Sequence, residues 1–309
     1  MNPEPPSRLN VILLLCLLIP SFPLTAADPI PAETPLRIIF FGAHPDDAEI
    51  KAGGVGAMWA AQGHKVKFVS TTNGDIGHAD MAGGELARRR LEEVQKAARI
   101  LGIETSDVMD IHDGELMPTL ETRREIVRLI REWKADVVIS HRPNDYHPDH
   151  RYTGVLVQDA AFMVIVKHFM PTVPQLARNP VFLFAEDGFQ KPNPFEPDIV
   201  VSIDDVIEKK IDALWSLESQ VESLWATGHF EHIVPVPTDP DARAARKQQV
   251  SERFKQRARN TADKFRYRLV ELYGEEKGRR VEYAEAFELC EYGQRATRDE
   301  LKELFPFFK

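Results

Sequence analysis

The sequence has few cysteines, no apolar run of comfortable membrane-spanning length, and no excess of positive charge. Two cysteines in 309 residues exclude a disulfide framework as the basis of the fold. The apolar run Val11–Pro20 is short for a transmembrane helix, and 43% apolar with 28% charged residues is ordinary globular composition. A net charge of -9 gives no general attraction to nucleic acid or anionic lipid, so no nucleic-acid partner is expected, although a local basic patch stays compatible with it.

Several well-known motifs are also missing. The sequence has no phosphate loop of the Walker type and no Gly-x-Ser-x-Gly turn. Gly53, Gly54 and Gly56 lack the dinucleotide-binding spacing and are expected to permit close contact between a helix and a sheet. Histidines and carboxylates are therefore the candidate catalytic and metal-binding groups.

The N-terminal residues 1–27 have the three-part pattern of a secretory signal. Arg8 precedes the apolar run Val11–Pro20, and the small residues Ala26 and Ala27 follow where signal peptidase cuts. Cleavage there leaves one domain, residues 28–309, with Cys290 as its single cysteine, expected to be buried as a small apolar group. The protein is thus expected in the periplasm or outside the cell, without a stable membrane span. An uncleaved N-terminal anchor is the alternative.

The rest of the chain alternates apolar strand patterns with amphipathic helix patterns. This order predicts an α/β fold with a Rossmann-like, mostly parallel sheet, helices on both faces, and an irregular C-terminal portion. The strands are expected at Leu36–Phe41, Lys65–Ser70, Ser106–Ile111, Val137–Ser140, Val181–Ala185 and Ile199–Ser202. The helices are expected at Ile50–Gln62, Glu85–Leu101, Leu120–Trp133, Thr153–His168, Asp204–Trp225 and Asp241–Leu272.

Two loops concentrate histidine and carboxylate residues. His44-Pro45-Asp46-Asp47 follows the first predicted strand, and His147-Pro148-Asp149-His150 follows the fourth. Ligands of open α/β sheets bind beyond the carboxyl ends of strands, so the two loops are expected to meet. His78 follows the second strand and is expected to line the same pocket on that ground.

These residue types are those of a catalytic metal site. His44, Asp47 and a histidine of the second loop provide two imidazoles and one carboxylate, the composition of a catalytic zinc site and compatible with iron(II). Such an ion lowers the pKa of a bound water toward about 7, and Asp46 could then accept its proton. A further histidine could polarise a carbonyl, with Asp149 orienting an imidazole. The implied reaction is metal-assisted hydrolysis of an amide or ester.

Each feature also has a plainer interpretation. Asp46 and Asp47 could only favour the N-terminus of the following helix, and the second-loop histidines could be surface residues. The basic cluster Arg243–Arg259 is interspersed with acids, so a solvated helix face is its expected role.

The residues of the two loops resemble motifs of a known family, the PIG-L (LmbE-like) metal-dependent de-N-acetylases. Ala43–Glu49 is similar to its first motif and His147–His150 to its second, while Thr72–Gly77 is similar to the segment after its second strand. The similarity runs from about Arg37 to Gly293. Both metal motifs together are specific for the family.

The resemblance implies a role for each matching position. It implies that His44, Asp47 and His150 are the metal ligands. Spacing alone leaves open whether His147 or His150 is the third ligand. Asp46 becomes the general base, and His147 the electrophile or acid beside the substrate carbonyl, supported by Asp149. Arg90 is implied as a substrate contact, with a solvated helix face beside Arg88 and Arg89 as the alternative.

The expected function is removal of the N-acetyl group from an N-acetylglucosamine-type sugar, free or in a glycoconjugate, by a zinc-dependent hydrolase. The alternatives are an amidase for another small amide and an inactive metal-bearing carbohydrate-binding protein. The chain departs from its relatives at Glu218, where they often carry histidine before Ser-Gln. A contact near the substrate is therefore expected to differ.

Overall fold

A seven-stranded sheet forms the centre of the protein. The structure, a computed structural model, describes residues 34–78, 80–224 and 236–308, and Thr34–Lys309 group into one compact unit. The strands are β1 (Arg37–Gly42), β2 (Lys65–Ser70), β3 (Thr105–Val108), β4 (Val137–Ser140), β5 (Val181–Ala185), β6 (Ile199–Ser202) and β7 (Ala284–Cys290).

The spatial order of the strands is β3-β2-β1-β4-β5-β7-β6. Neighbours from β3 to β5 run parallel, whereas β7 lies antiparallel between β5 and β6. The predicted α/β fold is confirmed. The sequence prediction missed β7, which lies in the C-terminal portion expected to be irregular. Its two acidic residues, Glu285 and Glu288, interrupt the continuous apolar run by which the parallel strands were recognised.

Nine α-helices lie within the described residues. They are α1 (Asp47–Ala61), α2 (Gly83–Leu101), α3 (Leu120–Trp133), α4 (Pro148–Met163), α5 (Ile207–Trp215), α6 (Pro240–Lys264), α7 (Arg266–Tyr273), α8 (Glu275–Arg280) and α9 (Arg298–Leu304).

Four predicted helices differ from the observed ones by more than two residues. The first and fourth begin earlier, at Asp47 and Pro148, because the strand-end motifs themselves form the first turns. The segment predicted as one helix from Asp204 contains a 3₁₀ turn, α5 and a π-helical turn, Glu218–Leu224; its end at Trp225 lies outside the described residues. The long C-terminal helix breaks at Phe265, which is buried.

Both faces of the sheet are covered. On β1, Ile39 and Phe41 pack in one cluster with Ile126 of α3 and Leu156 of α4. Phe40 contacts the ring of Phe68 on β2, with 5.9 Å between the ring centroids. Successive side chains point to opposite faces, so a strand buried along its length requires helices on both sides.

Glycines in α1 allow this helix to approach the sheet. A Cβ atom at Gly56 would lie 3.0 Å from Cζ of Phe68, so the expected helix–sheet contact is confirmed there. A Cβ atom at Gly54 would lie 2.7 Å from Ile203 and 3.0 Å from Glu285. The helix that carries Asp47 is thereby fixed against the sheet edge.

A buried ion pair also holds α1. Glu285 of β7 accepts hydrogen bonds from the Gly54 and Val55 amides at 2.9 and 2.8 Å, and from Lys210 of α5 at 2.6 Å. Lys210 also donates to the Ile50 carbonyl at 2.7 Å. Both charged side chains are buried, so the opposite charge of each is needed to offset the desolvation cost of the other.

The Glu285→Gln substitution is expected to destabilise the fold. It leaves the Lys210 ammonium buried without a countercharge, which costs roughly 3–5 kcal/mol of unfolding free energy. Chemical denaturation measures this loss. Glu282→Gln, which removes an exposed carboxylate from the same segment, is the control and should stay within about 0.5 kcal/mol of the native protein. Equal midpoints for both variants would contradict the role given to Glu285.

Cys290 is buried and free, as expected. No helix in the described parts of the chain combines the length and apolarity required to span the membrane. The predicted signal segment, with Cys16, lies outside those parts.

Candidate metal centre

The two histidine- and carboxylate-rich loops lie side by side. Strands β1 and β4 pair in parallel, with Phe41 opposite Ser140. Their carboxyl ends therefore meet at the same edge of the sheet, which brings His44, Asp47 and His150 together.

These three side chains form a compact triangle of potential ligand atoms. His44 Nδ1 is 3.2 Å from His150 Nε2. Asp47 Oδ2 is 3.7 Å from His44 Nδ1 and 3.6 Å from His150 Nε2. Ligands about 2.0–2.1 Å from a tetrahedral ion lie about 3.3 Å apart, so two imidazoles and a carboxylate at this spacing suit zinc.

Carboxylate oxygen atoms lie within ion-pair distance of the outer nitrogen atoms of both histidines, although neither nitrogen makes a hydrogen bond of good geometry. Asp113 and Asp149 place oxygen atoms 3.0 and 3.4 Å from His44 Nε2, and Asp145 places one 3.2 Å from His150 Nδ1. This pattern is typical of metal-binding histidines, because the carboxylates fix ring orientation and raise ligand basicity. Burial lowers the pKa of His44, but these acids more than offset it and raise the value to about 10. The site thus favours a cation, whether a proton or a metal ion.

His141 adjoins the triangle and was not singled out from the sequence. It stacks on His150 with ring centroids 4.2 Å apart, and its Nε2 lies 3.2 Å from Asp47 Oδ2. Asp47, His141 and His150 form a second possible ligand group, and His44, His147 and His150 a third. The Ala43 amide lies 3.1 Å from His141 Nε2 and 2.9 Å from Asp47 Oδ2, so it is shared between the two side chains. Burial also lowers the pKa of His141 to about 4.

Asp46 lies beside the triangle and is held by Arg90. Its carboxylate is buried and lies 3.2 Å from an Arg90 nitrogen. Burial raises the pKa of this carboxyl, and the guanidinium opposes the rise. Asp46 makes no hydrogen bond that caps α1, while Asp47 accepts from the amides of Ala43 and His44, which precede the helix. Neither carboxylate thus caps α1 by a hydrogen bond, although both lie at its N-terminus, where negative charge is favourable.

His147 is half-buried at the start of α4. Its Nδ1 accepts the Asp149 amide at 3.2 Å, so its neutral form carries the proton on Nε2. Burial lowers its pKa, which favours that neutral form. The Asp149 carboxylate contacts His44 and the Gly114 amide, the latter at 2.6 Å. That Asp149 supports His147 through its side chain stays a prediction.

A cavity of about 630 Å³ opens beside the triangle. Seven of the eight predicted site residues line it, and the eighth, Asp149, is buried behind His44. The seven are His44, Asp46, Asp47, His78, Arg90, His147 and His150. The wall also includes residues that the sequence prediction missed, namely Lys51, Tyr146, Phe189, Gln220 and Arg257. Arg257 belongs to the cluster predicted as a solvated helix face; it is exposed, as predicted, and also lines the cavity.

The Ser-Gln segment after α5 is attached to α2. Ser219 donates to Glu93 from its amide at 2.9 Å and from its hydroxyl at 2.6 Å. Gln220 reaches the cavity and donates to the Gly77 carbonyl at 3.1 Å. Glu218 itself is not part of this cavity wall, and its carboxylate lies 3.8 Å from Lys96 and 3.5 Å from Arg243.

Comparison with known proteins identifies the family. The family model PIG-L, described as GlcNAc-PI de-N-acetylase, matches residues 39–161. A diacetylchitobiose deacetylase of Thermococcus kodakarensis is 34% identical over 61% of this chain and 72% of its own length. The chain belongs to the PIG-L family. The expected resemblance is therefore confirmed.

Other similar proteins show that PIG-L relatives differ in chemistry. A 4-oxalmesaconate hydratase of Pseudomonas putida is 28% identical over 59% of this chain and 73% of its own length. The structure of N,N'-diacetylchitobiose deacetylase from Pyrococcus horikoshii matches with a TM-score of 0.61 and 23% identity, covering 82% of this chain and 84% of that one. The latter likeness confirms the fold.

The Arg90→Met substitution is expected to shift the acidic limb of the pH profile for kcat/KM to higher pH. The Arg90 charge lowers the pKa of Asp46, and a general base acts only when ionised. Arg90→Lys, which keeps the charge, should leave the limb nearer its native position. Loss of activity at every pH with an unmoved limb would instead support Arg90 as a substrate contact.

Proposed function

We propose that this PIG-L protein is a zinc-dependent hydrolase that removes the N-acetyl group from an N-acetylglucosamine-type sugar. The observation that carries the proposal is the triangle of His44, Asp47 and His150, with Asp46 and His147 on the wall of the same cavity. Several relatives are named as deacetylases of acetamido sugars, which supports this substrate class.

Zinc fits the donor set, and iron(II) is the alternative because it accepts the same ligands. When bound, the ion would lower the pKa of a water molecule and polarise the substrate carbonyl. Asp113, Asp145 and Asp149 would hold the two imidazoles in place from behind.

The chain's own residues would move the protons. Asp46 accepts a proton from the attacking water as that water adds to the carbonyl carbon of the acetamido group. His147 donates a hydrogen bond from Nε2–H to the carbonyl oxygen, where negative charge develops. The protonated Asp46 then delivers its proton to the amine nitrogen as the C–N bond breaks, which releases acetate and the amino sugar.

The cavity suits a sugar-sized substrate. Its volume of about 630 Å³ lies within the range of small-molecule pockets, about 300–1,000 Å³. Tyr146 and Phe189 provide aromatic faces 6.3 Å apart at its mouth, and Arg90, His78 and Gln220 provide polar contacts.

A second candidate is hydration of an unsaturated acid, which the hydratase relative favours. The experiment that separates the candidates is a panel assay with the zinc-loaded chain. It measures acetate release from N-acetylated sugars and other small acetamides, and absorbance loss from 4-oxalmesaconate. Preferred acetate release from the sugars supports the proposal, whereas release only from other amides, or hydration alone, would overturn it. Binding of sugars without turnover would indicate the inactive carbohydrate-binding protein.

We also propose that the protein is exported and that residues 1–27 are removed. The proposal rests on the apolar run Val11–Pro20 and the small residues Ala26 and Ala27. N-terminal sequencing of the secreted or periplasmic chain tests it. A chain that keeps Met1 and sediments with membranes would instead be an anchored protein.

A further inference from the structure

Two cations line the cavity on the side formed by α1 and α6. Lys51 lies one turn after the ligand-bearing start of α1, and Arg257 comes from α6. Both residues also line a smaller adjoining cavity, so they stand together between the two spaces. Arg257 is exposed to solvent and Lys51 is half-buried.

Neither cation has a carboxylate partner within residues 34–78, 80–224 and 236–308, according to the ion pairs found there. The Lys51 ammonium donates to a neutral acceptor, the Glu186 carbonyl, at 2.8 Å. The Arg257 guanidinium makes no hydrogen bond to these described residues. Both side chains therefore have donors available to a ligand.

The acids around this pair are already engaged. Asp187 binds Arg142 through two hydrogen bonds of 2.8 and 3.2 Å. The Glu186 carboxylate accepts from Thr261 at 2.6 Å and lies 3.6 Å from Lys264. Asp145 supports His150, and Asp47 belongs to the metal triangle. Two positive charges thus line the cavity without an ion-pair partner among the described residues.

The two cations also repel each other. Burial lowers the pKa of Lys51, and the Arg257 charge lowers it further, although nearby acids oppose this. An anion close to both groups would relieve this repulsion, because a nearby opposite charge stabilises a charged group.

We propose that Lys51 and Arg257 bind an anionic substituent of the substrate, so that the preferred substrate is an acidic acetamido sugar carrying a carboxylate, sulfate or phosphate. This inference rests on the proposed function, since it assigns the substituent to the molecule whose acetamido group lies at Asp46. A guanidinium and an ammonium together suit an oxyanion, one by paired donors and the other as a point charge.

The experiment compares kcat/KM for acetate release from N-acetylglucosamine with that from three acidic relatives. N-acetylmuramic acid presents a carboxylate, and the 6-sulfate and 6-phosphate of N-acetylglucosamine present the other two anions. The native chain, Arg257→Gln, Lys51→Gln and Lys247→Gln are measured side by side. Lys247 lies on the same helix and pairs with Asp212 at 2.8 Å outside the cavity, so it is the matched control.

The expected result is a preference of about tenfold or more for at least one acidic sugar in the native chain and in Lys247→Gln. The ratio of acidic to neutral kcat/KM should fall toward one in Arg257→Gln and Lys51→Gln. A native ratio near one would overturn the inference. So would a preference that survives both substitutions, because the anion would then bind elsewhere, for example at the metal.

A binding measurement separates failure of this inference from failure of the proposed function. Calorimetry of the zinc-loaded protein with acidic and neutral sugars needs no turnover. Tighter binding of an acidic sugar that disappears in Arg257→Gln would support the anion site even if no sugar releases acetate, which would overturn the deacetylase proposal alone. Equal binding of acidic and neutral sugars would overturn the anion site.

Discussion

Replacing Asp46 with asparagine is expected to lower kcat/KM for acetate release on the order of 10³-fold. The asparagine amide keeps the shape of the side chain and its position near Arg90, but it cannot accept the proton of the attacking water. Metal content should stay at the native level, because the triangle consists of other side chains. Acetate release and elemental analysis on the same preparation provide both measurements.

Two controls make this result specific. Unchanged thermal unfolding of the Asp46→Asn protein excludes a folding defect. Asp212→Asn removes a surface carboxylate outside the cavity and should retain native turnover. Native turnover by Asp46→Asn itself would refute the base role, and a loss of metal along with activity would place Asp46 among the ligands.

The His150→Ala substitution is expected to empty the metal centre. Its Nε2 atom is one vertex of the triangle, and two remaining ligands bind zinc too weakly to retain it through dialysis. We expect metal content to fall from about one ion per chain to about one tenth or less, with acetate release falling at least about 10³-fold.

His141→Ala is the matched control for this loss. It removes a neighbouring imidazole of similar burial, stacked on His150. Since His141 lies outside the triangle of His44, Asp47 and His150, this variant should retain most of the metal. The reverse pattern, with metal lost from His141→Ala and kept by His150→Ala, would replace His150 by His141 in the ligand group.

The sequence was sufficient for the parallel part of the sheet and for the location of the site. Strands β1, β4 and β5 are largely apolar runs followed by turns or polar loops, and such runs identify buried parallel strands. The two loops rich in histidine and carboxylate directly follow β1 and β4. Because parallel strands end at the same edge of a sheet, this position predicted that His44 and His150 lie close together.

Features that depend on distant parts of the chain were not accessible in this way. Strand β7 carries Glu285, whose role becomes evident only when Lys210 and the α1 amides are placed around it. Arg257 resembles its exposed helical neighbours in sequence, yet its position on α6 turns it to the cavity. His141 was visible in the second loop, but its stacking on His150 depends on the tertiary arrangement.

The contacts behind the ligands illustrate the same limit. The dense second loop indicated that Asp145 and Asp149 were close to the chemistry, but not which imidazole each would meet. Asp149 lies against His44 of the other loop, and Asp145 against His150. Pairing across loops follows from the close approach of β1 and β4, which no local sequence pattern encodes.

Acetate release before and after metal removal tests the central claim most directly. The chain is stripped with a chelator, dialysed and assayed with N,N'-diacetylchitobiose and the acidic acetamido sugars, then assayed again after one equivalent of zinc. A metal-dependent deacetylase releases no acetate when stripped and recovers its activity with zinc. Undiminished release from the metal-free chain, or no release from any acetamido sugar with zinc bound stoichiometrically, would contradict the account.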